Sequence, residues 1–378
     1  MADKKRLTPE FLRAMTQDDI TAFMQRAGHP AFRAKQLFQW VYEKGARDYE
    51  AMTNLSKDLR QWLSEKVPLG GLALERVSGE RDETQKLLFR TNDDQLIESV
   101  IMRDDFADDD DEEDASQGST APMDKVSLCV SSQVGCPLGC QFCMTGEGGF
   151  RRQLRTDEIL DQVLQARDAI ADNERIGNIV FMGMGEPMLN LKAVIPALRL
   201  LTDPRAFNIA TRRITVSTAG VIPGIIEFGE ARTEVNLAVS LNATTQKTRD
   251  LIMPGCRKWP IDQLLATCRE FPLFKRRRIT FEYVLFKDIN DTADDLRRLK
   301  AMLKGISCKI NLIIYNPGAA TALEPSSEDH AQAFRDRLAD ANYTVSLRRS
   351  KGRRHRAACG QLAAHVRGLD AMLNNNNL

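Results

Sequence analysis

The spacing of apolar positions changes character near residue 125. Upstream, Ala34, Leu37, Phe38 and Val41 recur at i, i+3, i+4 and i+7, and Leu55, Leu59, Trp62 and Leu63 form a second stripe, the period of amphipathic helices. Thr8 followed by Pro9 is a helix-start signal. Residues 1–80 are therefore expected to form a small helical domain. Thr84–Arg90 and Gln95–Arg103 read as strands joined at Asn92-Asp93-Asp94, which makes 81–103 a β-hairpin. From Lys125 the rhythm becomes strand then helix, repeated, with strands expected at 125–132, 177–184, 212–218, 235–241, 279–286, 308–315 and 343–348. That succession predicts an α/β fold with a parallel sheet over 125–373.

Unusual residues gather where these strands end. Gly183-Met184-Gly185-Glu186-Pro187 follows the second strand, Ser217-Thr218-Ala219-Gly220 the third, Ser240-Leu241-Asn242 the fourth and Asn316-Pro317 the sixth. Any one glycine-rich turn can merely end a strand. Several in succession, each with a polar side chain, point to one active mouth at the carboxyl ends of barrel strands.

Charge adds a second contrast. The formal net charge is +1, yet Asp104–Asp114 holds nine acidic residues and no basic one, so the remainder carries +10. Residues 104–124 lack periodicity and read as a disordered acidic insertion, and 374–378 as an Asn-rich tail. Met1–Arg13 lacks the apolar core of a signal peptide, and no apolar run approaches membrane-spanning length. A cytoplasmic monomer without membrane contact is expected. Eight cysteines in such a chain argue for metal or redox chemistry over a structural disulfide framework.

The chemistry concentrates in Gly135–Cys143, GCPLGCQFC, where Cys136, Cys140 and Cys143 stand at Cys-x3-Cys-x2-Cys in a loop after the first parallel strand. A structural zinc asks for four closing ligands, usually two separated pairs, and no second Cys-x2-Cys exists. Three cysteines on a four-iron cluster leave one iron open to a non-protein ligand. With Phe142 before the third cysteine, the loop resembles the signature of radical S-adenosylmethionine enzymes. The resemblance implies one [4Fe-4S] cluster held by Cys136, Cys140 and Cys143, with S-adenosylmethionine on the open iron and cleaved there to a 5′-deoxyadenosyl radical. It also implies a partial (β/α)6 barrel. Gly185, Glu186, Ser217, Ser240, Leu241, Asn242 and Asn316 are the expected cofactor-binding positions.

Two further cysteines stand out by their settings. Cys129 precedes the loop on the same expected strand. Cys359 follows Arg348, Arg349, Lys351, Arg353, Arg354 and Arg356 and precedes a helix expected at Gly360–Met372. Both surroundings favour a thiolate at Cys359. Cys256, Cys268 and Cys308 read as buried filler. Taken in order, GCPLGCQFC, GMGEP, STAG, INLIIYNP and AACGQL resemble the RlmN/Cfr family of RNA adenine methyltransferases over nearly the whole chain.

The resemblance implies that Cys359 accepts a methyl group from one S-adenosylmethionine. A radical from a second S-adenosylmethionine then activates that methyl group, which adds to an adenine as a protein–RNA crosslink. Cys129 resolves the crosslink through a transient disulfide with Cys359. Glu98 matches the family's proton acceptor, although by sequence it is equally an outward-facing strand carboxylate. The implied substrates are an adenine of 23S rRNA in the peptidyl transferase centre, at carbon 2, and the adenine 3′ to the anticodon of some tRNAs. The implied reductant is flavodoxin or ferredoxin.

Alternatives stay open at this point: Cfr-like methylation at carbon 8, and a non-catalytic iron–sulfur RNA-binding protein, which would leave Cys129, Cys359 and the polar mouth unexplained. A methylthiotransferase would need a second cluster motif, and none is present. Basic residues in the helical region (Lys4, Lys5, Arg6, Arg33, Lys35, Arg60), Lys275–Arg278 and Arg348–Arg356 suit phosphate contact but equally read as solvated faces. In the family pattern the third place of Ser240-Leu241-Asn242 is often His, so Asn242 departs from it.

Overall fold

The computed structural model describes residues 11–81, 83–103, 124–318, 320–348, 357 and 359–362. The expected acidic insertion, Asn-rich tail, helix start at Thr8 and most of the basic run Arg348–Arg356 lie outside them.

The N-terminal helices are α1 (Gln17–Arg26), α2 (Phe32–Phe38), continued by a π-turn at Gln39–Glu43, and α3 (Lys57–Lys66). Thr16 and Ser56 cap α1 and α3 through their hydroxyls, satisfying backbone N–H groups that a helix start leaves open. The predicted stripe of α2 is buried as expected: Ala34, Leu37, Phe38 and Val41 are all core.

The helical region ends earlier than residue 80. Leu72–Ser78 forms β1, which pairs antiparallel with β2 (Gln85–Thr91), which pairs with β3 (Leu96–Arg103). The expected hairpin is thus a three-stranded meander. β1 escaped sequence reading because exposed Glu75 and Arg76 break its alternation, and only pairing with β2 fixes it.

β3 joins β4 (Asp124–Cys129) antiparallel, and from β4 onward the sheet is parallel. Its strands are β7 (Glu174–Phe181), β8 (Ile214–Thr218), β9 (Asn236–Ser240), β10 (Ile279–Leu285), β11 (Cys308–Ile314) and β12 (Val345–Arg348). The short pair β5 (Gln133–Gly135) and β6 (Phe150–Gln153) brackets the cysteine loop and α4 (Met144–Glu147). Helices α5 (Thr156–Ala166), α6 (Leu191–Thr202), α7 (Ile222–Glu230), α8 (Gln246–Ile252), α9 (Ile261–Glu270), α10 (Ala293–Leu303) and α11 (Glu328–Ala339) connect the parallel strands. The order β4-β7-β8-β9-β10-β11-β12 follows the chain, the arrangement of successive βα units winding as a partial barrel.

Register decides which side chains meet. Cys129 lies opposite Val180, Val180 opposite Thr215, Ser217 opposite Ala238, Ser240 opposite Glu282, Glu282 opposite Asn311 and Asn311 opposite Ser346. Paired residues share a face, and residues two apart share it too. Cys129, Ser217, Ser240, Glu282 and Asn311 therefore line one inner face. The opposite face packs on helices: Tyr283 stacks on Phe334 of α11, and Ser99 hydrogen-bonds Gln162 of α5. No helix among the described residues is long and apolar enough to cross a membrane.

Candidate active site

The cysteine loop is held by its backbone. Cys136 N–H donates to Gly149 O (3.0 Å), Gln141 N–H to Ile252 O (2.9 Å), and Leu138 O accepts from Gly255 N–H (2.9 Å). The loop is thereby fastened to the segment after α8. Cys136, Cys140 and Cys143 are all partly exposed. Burial pushes the Cys136 thiol up to about 12 and Cys140 well above its usual range, each reinforced by neighbouring cysteines. Cys256, read as filler, is buried beside them, and its potential negative charge acts on both.

Among the described residues no three His, Cys, Asp or Glu side chains form a site for a single metal ion. A cubane cluster asks for something else, one thiolate on each of three separate irons. Three thiols on one loop, with thiolate repulsion to relieve, fit that group. Bound there, the cluster would supply electrons for cleaving S-adenosylmethionine.

The turns around the loop are built to hold shape. Gly185 has φ +101°, and a Cβ there would lie 2.5 Å from the Gln133 side chain, so only glycine fits. Glu186 is buried; its carboxylate accepts from Met188 N–H (3.0 Å) and Ala219 N–H (2.8 Å), joining the GMGEP turn to the STAG turn. Burial pushes its carboxyl up to about 7, against the pull of those donors. Asn242 adopts φ +55°, and its amide oxygen accepts from Val284 N–H (2.9 Å) while its amide N–H reaches the Met253 sulfur (3.5 Å). In this structure the side chains of Glu186 and Asn242 thus hold turns in place. Leu241 is buried, with its N–H on Glu282 O (3.0 Å). Ser217 and Ser240 face inward from the sheet.

Cys143, Asn316 and Cys359 come together around a cavity of about 110 Å³, walled also by Phe142, Met182 and Val284. The C-terminal segment is pinned across it. Gly360 O accepts from Met144 N–H (2.8 Å), Leu362 O from the Thr145 hydroxyl (2.7 Å), and Gln361 donates to Pro317 O (2.8 Å).

Cys359 is open to solvent but sunk in this recess, where burial pushes its thiol up to about 12. Glu282 and Cys143 push the same way and Arg348 opposes them. Most of the basic run expected to favour a thiolate, Arg349–Arg356, lies outside the described residues. The helix expected from Gly360 does not begin there: Cys359 and Gly360 form a turn, and residues beyond Leu362 lie outside the described ones. Cys129 is buried nearby, its thiol pushed up to about 12 by burial and then by Cys359.

Glu98 is not the outward-facing carboxylate that sequence allowed. Cys129 pairs with Val100 across β3 and β4, so Glu98, two residues on, shares the inner face of Cys129. It is buried and ion-paired with Lys86 (2.9 Å). Lys275–Arg278 precede β10, at the end of the sheet opposite the mouth, whereas Arg348 ends β12 on the mouth side. Sequence reading missed Glu282, whose signal was a lone carboxylate inside the apolar run ITFEYVLF.

A parallel barrel, a three-cysteine loop at its mouth and facing cofactor turns define a radical S-adenosylmethionine enzyme. The radical SAM superfamily model matches residues 130–299, and the ribosomal RNA large subunit methyltransferase N-terminal domain model matches residues 12–69. Curated relatives include a dual-specificity RNA methyltransferase RlmN of Geotalea uraniireducens (43% identical, covering 94% of this chain and 97% of the relative) and another of Geobacter sulfurreducens (42%, 95% and 93%). The crystal structure of a radical SAM methyltransferase from Sphaerobacter thermophilus superimposes with a TM-score of 0.84 at 38% identity, covering 94% of this chain and all of that one. The chain belongs to the RlmN family of radical SAM RNA methyltransferases, and membership carries with it a [4Fe-4S] cluster and S-adenosylmethionine.

Proposed function

We propose that the protein methylates carbon 2 of an adenine in the peptidyl transferase centre of 23S rRNA and the adenine 3′ to the anticodon of some tRNAs. The observation that carries this reading is that Cys359 shares a cavity with Cys143 and lies near enough to act electrostatically on Cys129, which faces inward from β4. The relatives' printed name, dual-specificity RNA methyltransferase, supports more than one RNA substrate, and the matching N-terminal domain model supports ribosomal RNA as one of them.

In this reading two S-adenosylmethionine molecules are used per turnover, one as methyl donor and one as radical source, with electrons from flavodoxin or ferredoxin. Cys359 loses its thiol proton and takes the methyl group on sulfur. Its methyl carbon, after giving one hydrogen atom to the deoxyadenosyl radical, bonds to the adenine ring carbon, and the adduct radical passes its unpaired electron back to the flavodoxin- or ferredoxin-type carrier. Glu98, which Lys86 holds in place at 2.9 Å, accepts the ring proton. Cys129, as thiolate, attacks the Cys359 sulfur; the S–S bond forms as the bond from sulfur to the methylene carbon breaks, and that carbon takes a proton. An external thiol then reduces the disulfide. Asn316, Ser217 and Ser240 face the space where cofactor and base would lie.

The Cys129→Ala variant tests the scheme. It should accumulate RNA covalently attached to Cys359 through a methylene, seen by mass spectrometry, with the ring position reporting carbon 2 or carbon 8. Protein whose cluster cleaves S-adenosylmethionine but that forms no crosslink would refute the assignment.

A further inference from the structure

Arg249, on α8, is the largest fully buried side chain among the described residues, with 0% of its surface exposed. Guanidinium stays protonated at any physiological pH. Among the described residues, no carboxylate lies within ion-pair distance of it. One arm donates to Trp259 O (3.1 Å) and another to Ala219 O (2.5 Å), while Nε has no partner. Carbonyl dipoles solvate a cation only in part, and an uncompensated buried charge is among the most destabilising features a fold can carry. Something beyond these carbonyls must balance it.

The surroundings identify that partner. Three residues past Arg249, Ile252 O accepts from Gln141 N–H inside the cysteine loop, and Gly255 N–H returns to Leu138 O. The cationic helix and the loop are thus stitched together on both sides of Cys140. Apart from its burial, the groups that act on Arg249 are Cys256, Cys140 and Asp250, so a thiolate at Cys140 would place a negative charge within its reach. On its other side, Gly220 leaves room for the guanidinium: a Cβ there would lie 2.8 Å from Nη2.

We propose that Arg249 is the built-in counter-ion of the iron–sulfur cluster, a positioning residue whose charge is balanced only when iron turns the loop cysteines into thiolates. The inference rests on the cluster reading above. It has two consequences. A fixed cation favours the more negative, reduced cluster, so Arg249 raises the reduction potential. In the iron-free chain the same cation is a liability.

The experiment is a four-way comparison of full-length wild type and Arg249→Met, each iron-free and anaerobically reconstituted, with Arg249→Lys as the charge-keeping control. Thermal melting should show Arg249→Met raising the Tm of the iron-free chain by ~2 °C or more while reducing the gain that reconstitution brings. Potentiometric titration followed by electron paramagnetic resonance should show about tenfold less reduced cluster at a fixed potential in Arg249→Met, about 59 mV for a one-electron couple. Arg249→Lys should stay near wild type.

Equal loss of Tm in both states, failure of Arg249→Met to fold in either, or an unchanged midpoint would overturn the proposal and reduce Arg249 to a tie between Ala219 and Trp259. Wild type that takes up no iron and gives no cluster signal would instead defeat the cluster reading itself.

Discussion

Arg13 and Arg249 are both buried arginines, held in opposite ways. Arg13, at the seam between the N-terminal region and the barrel, meets Asp161 of α5 at 2.5 Å; that carboxylate also accepts from Gly71 and Leu72 N–H. Further pairs cross the same seam: Arg47 with Asp168, and Arg152 with Asp93. In the barrel mouth, buried Arg249 and Glu186 meet backbone groups instead of opposite charges. The seam satisfies its charges within the protein, whereas the mouth leaves them for something that arrives. Full ionic pairing marks fastening; incomplete pairing marks function.

The sharpest test of that contrast is Asp161→Ala. It strands Arg13 in the seam and should destabilise the fold by roughly 3–5 kcal/mol, read from urea unfolding. A loss near zero would mean that the seam is held by apolar contact.

Glu186 gives the next largest effect, and it depends on pH. Its folded carboxyl is raised to about 7 from an ordinary 4.5. Between those values the unfolded chain releases its proton while the folded chain keeps it, so stability contributed by this group falls as pH rises from 4.5 to 7 and stays lost above. Unfolding free energies of iron-free wild type and Glu186→Gln, measured across that window, should diverge by up to roughly 3 kcal/mol. Parallel curves would show that the donors from Met188 and Ala219 keep the carboxylate ionised.

Lys86→Met probes a pair that spans both regimes, since Lys86 is partly open and Glu98 buried. The expected loss is roughly 1–3 kcal/mol, between the exposed and buried limits, with slower methylation in single-turnover assays. Arg47→Ala should do least. Its pair with Asp168 is open to solvent, and about 1 kcal/mol or less is expected, within the error of a melting curve at high salt.

The same contrast explains what could be read from sequence. The cysteine loop was legible because its three ligands are contiguous, and the parallel strands because apolar runs alternate with helix-length segments. Glu98 was half legible: its motif was visible, but only the register of β3 on β4 turns it inward beside Cys129. β1 was not legible, since it depends on a partner strand, and neither was the role of Glu282, which only the sheet brings toward Cys359. Arg249 left no trace at all. Arg-Asp in a short amphipathic helix reads as a solvated face until the fold closes over it.

The C-terminal segment is fixed to α4 by Gly360 and Leu362, immediately after the last cysteine of the metal-binding loop. Cys359 is therefore seated by the same stretch of backbone that iron would organise. In the proposed scheme that shared stretch couples two sites: displacing Met144 or Thr145 would disturb the third cluster ligand and the methyl-carrying sulfur together.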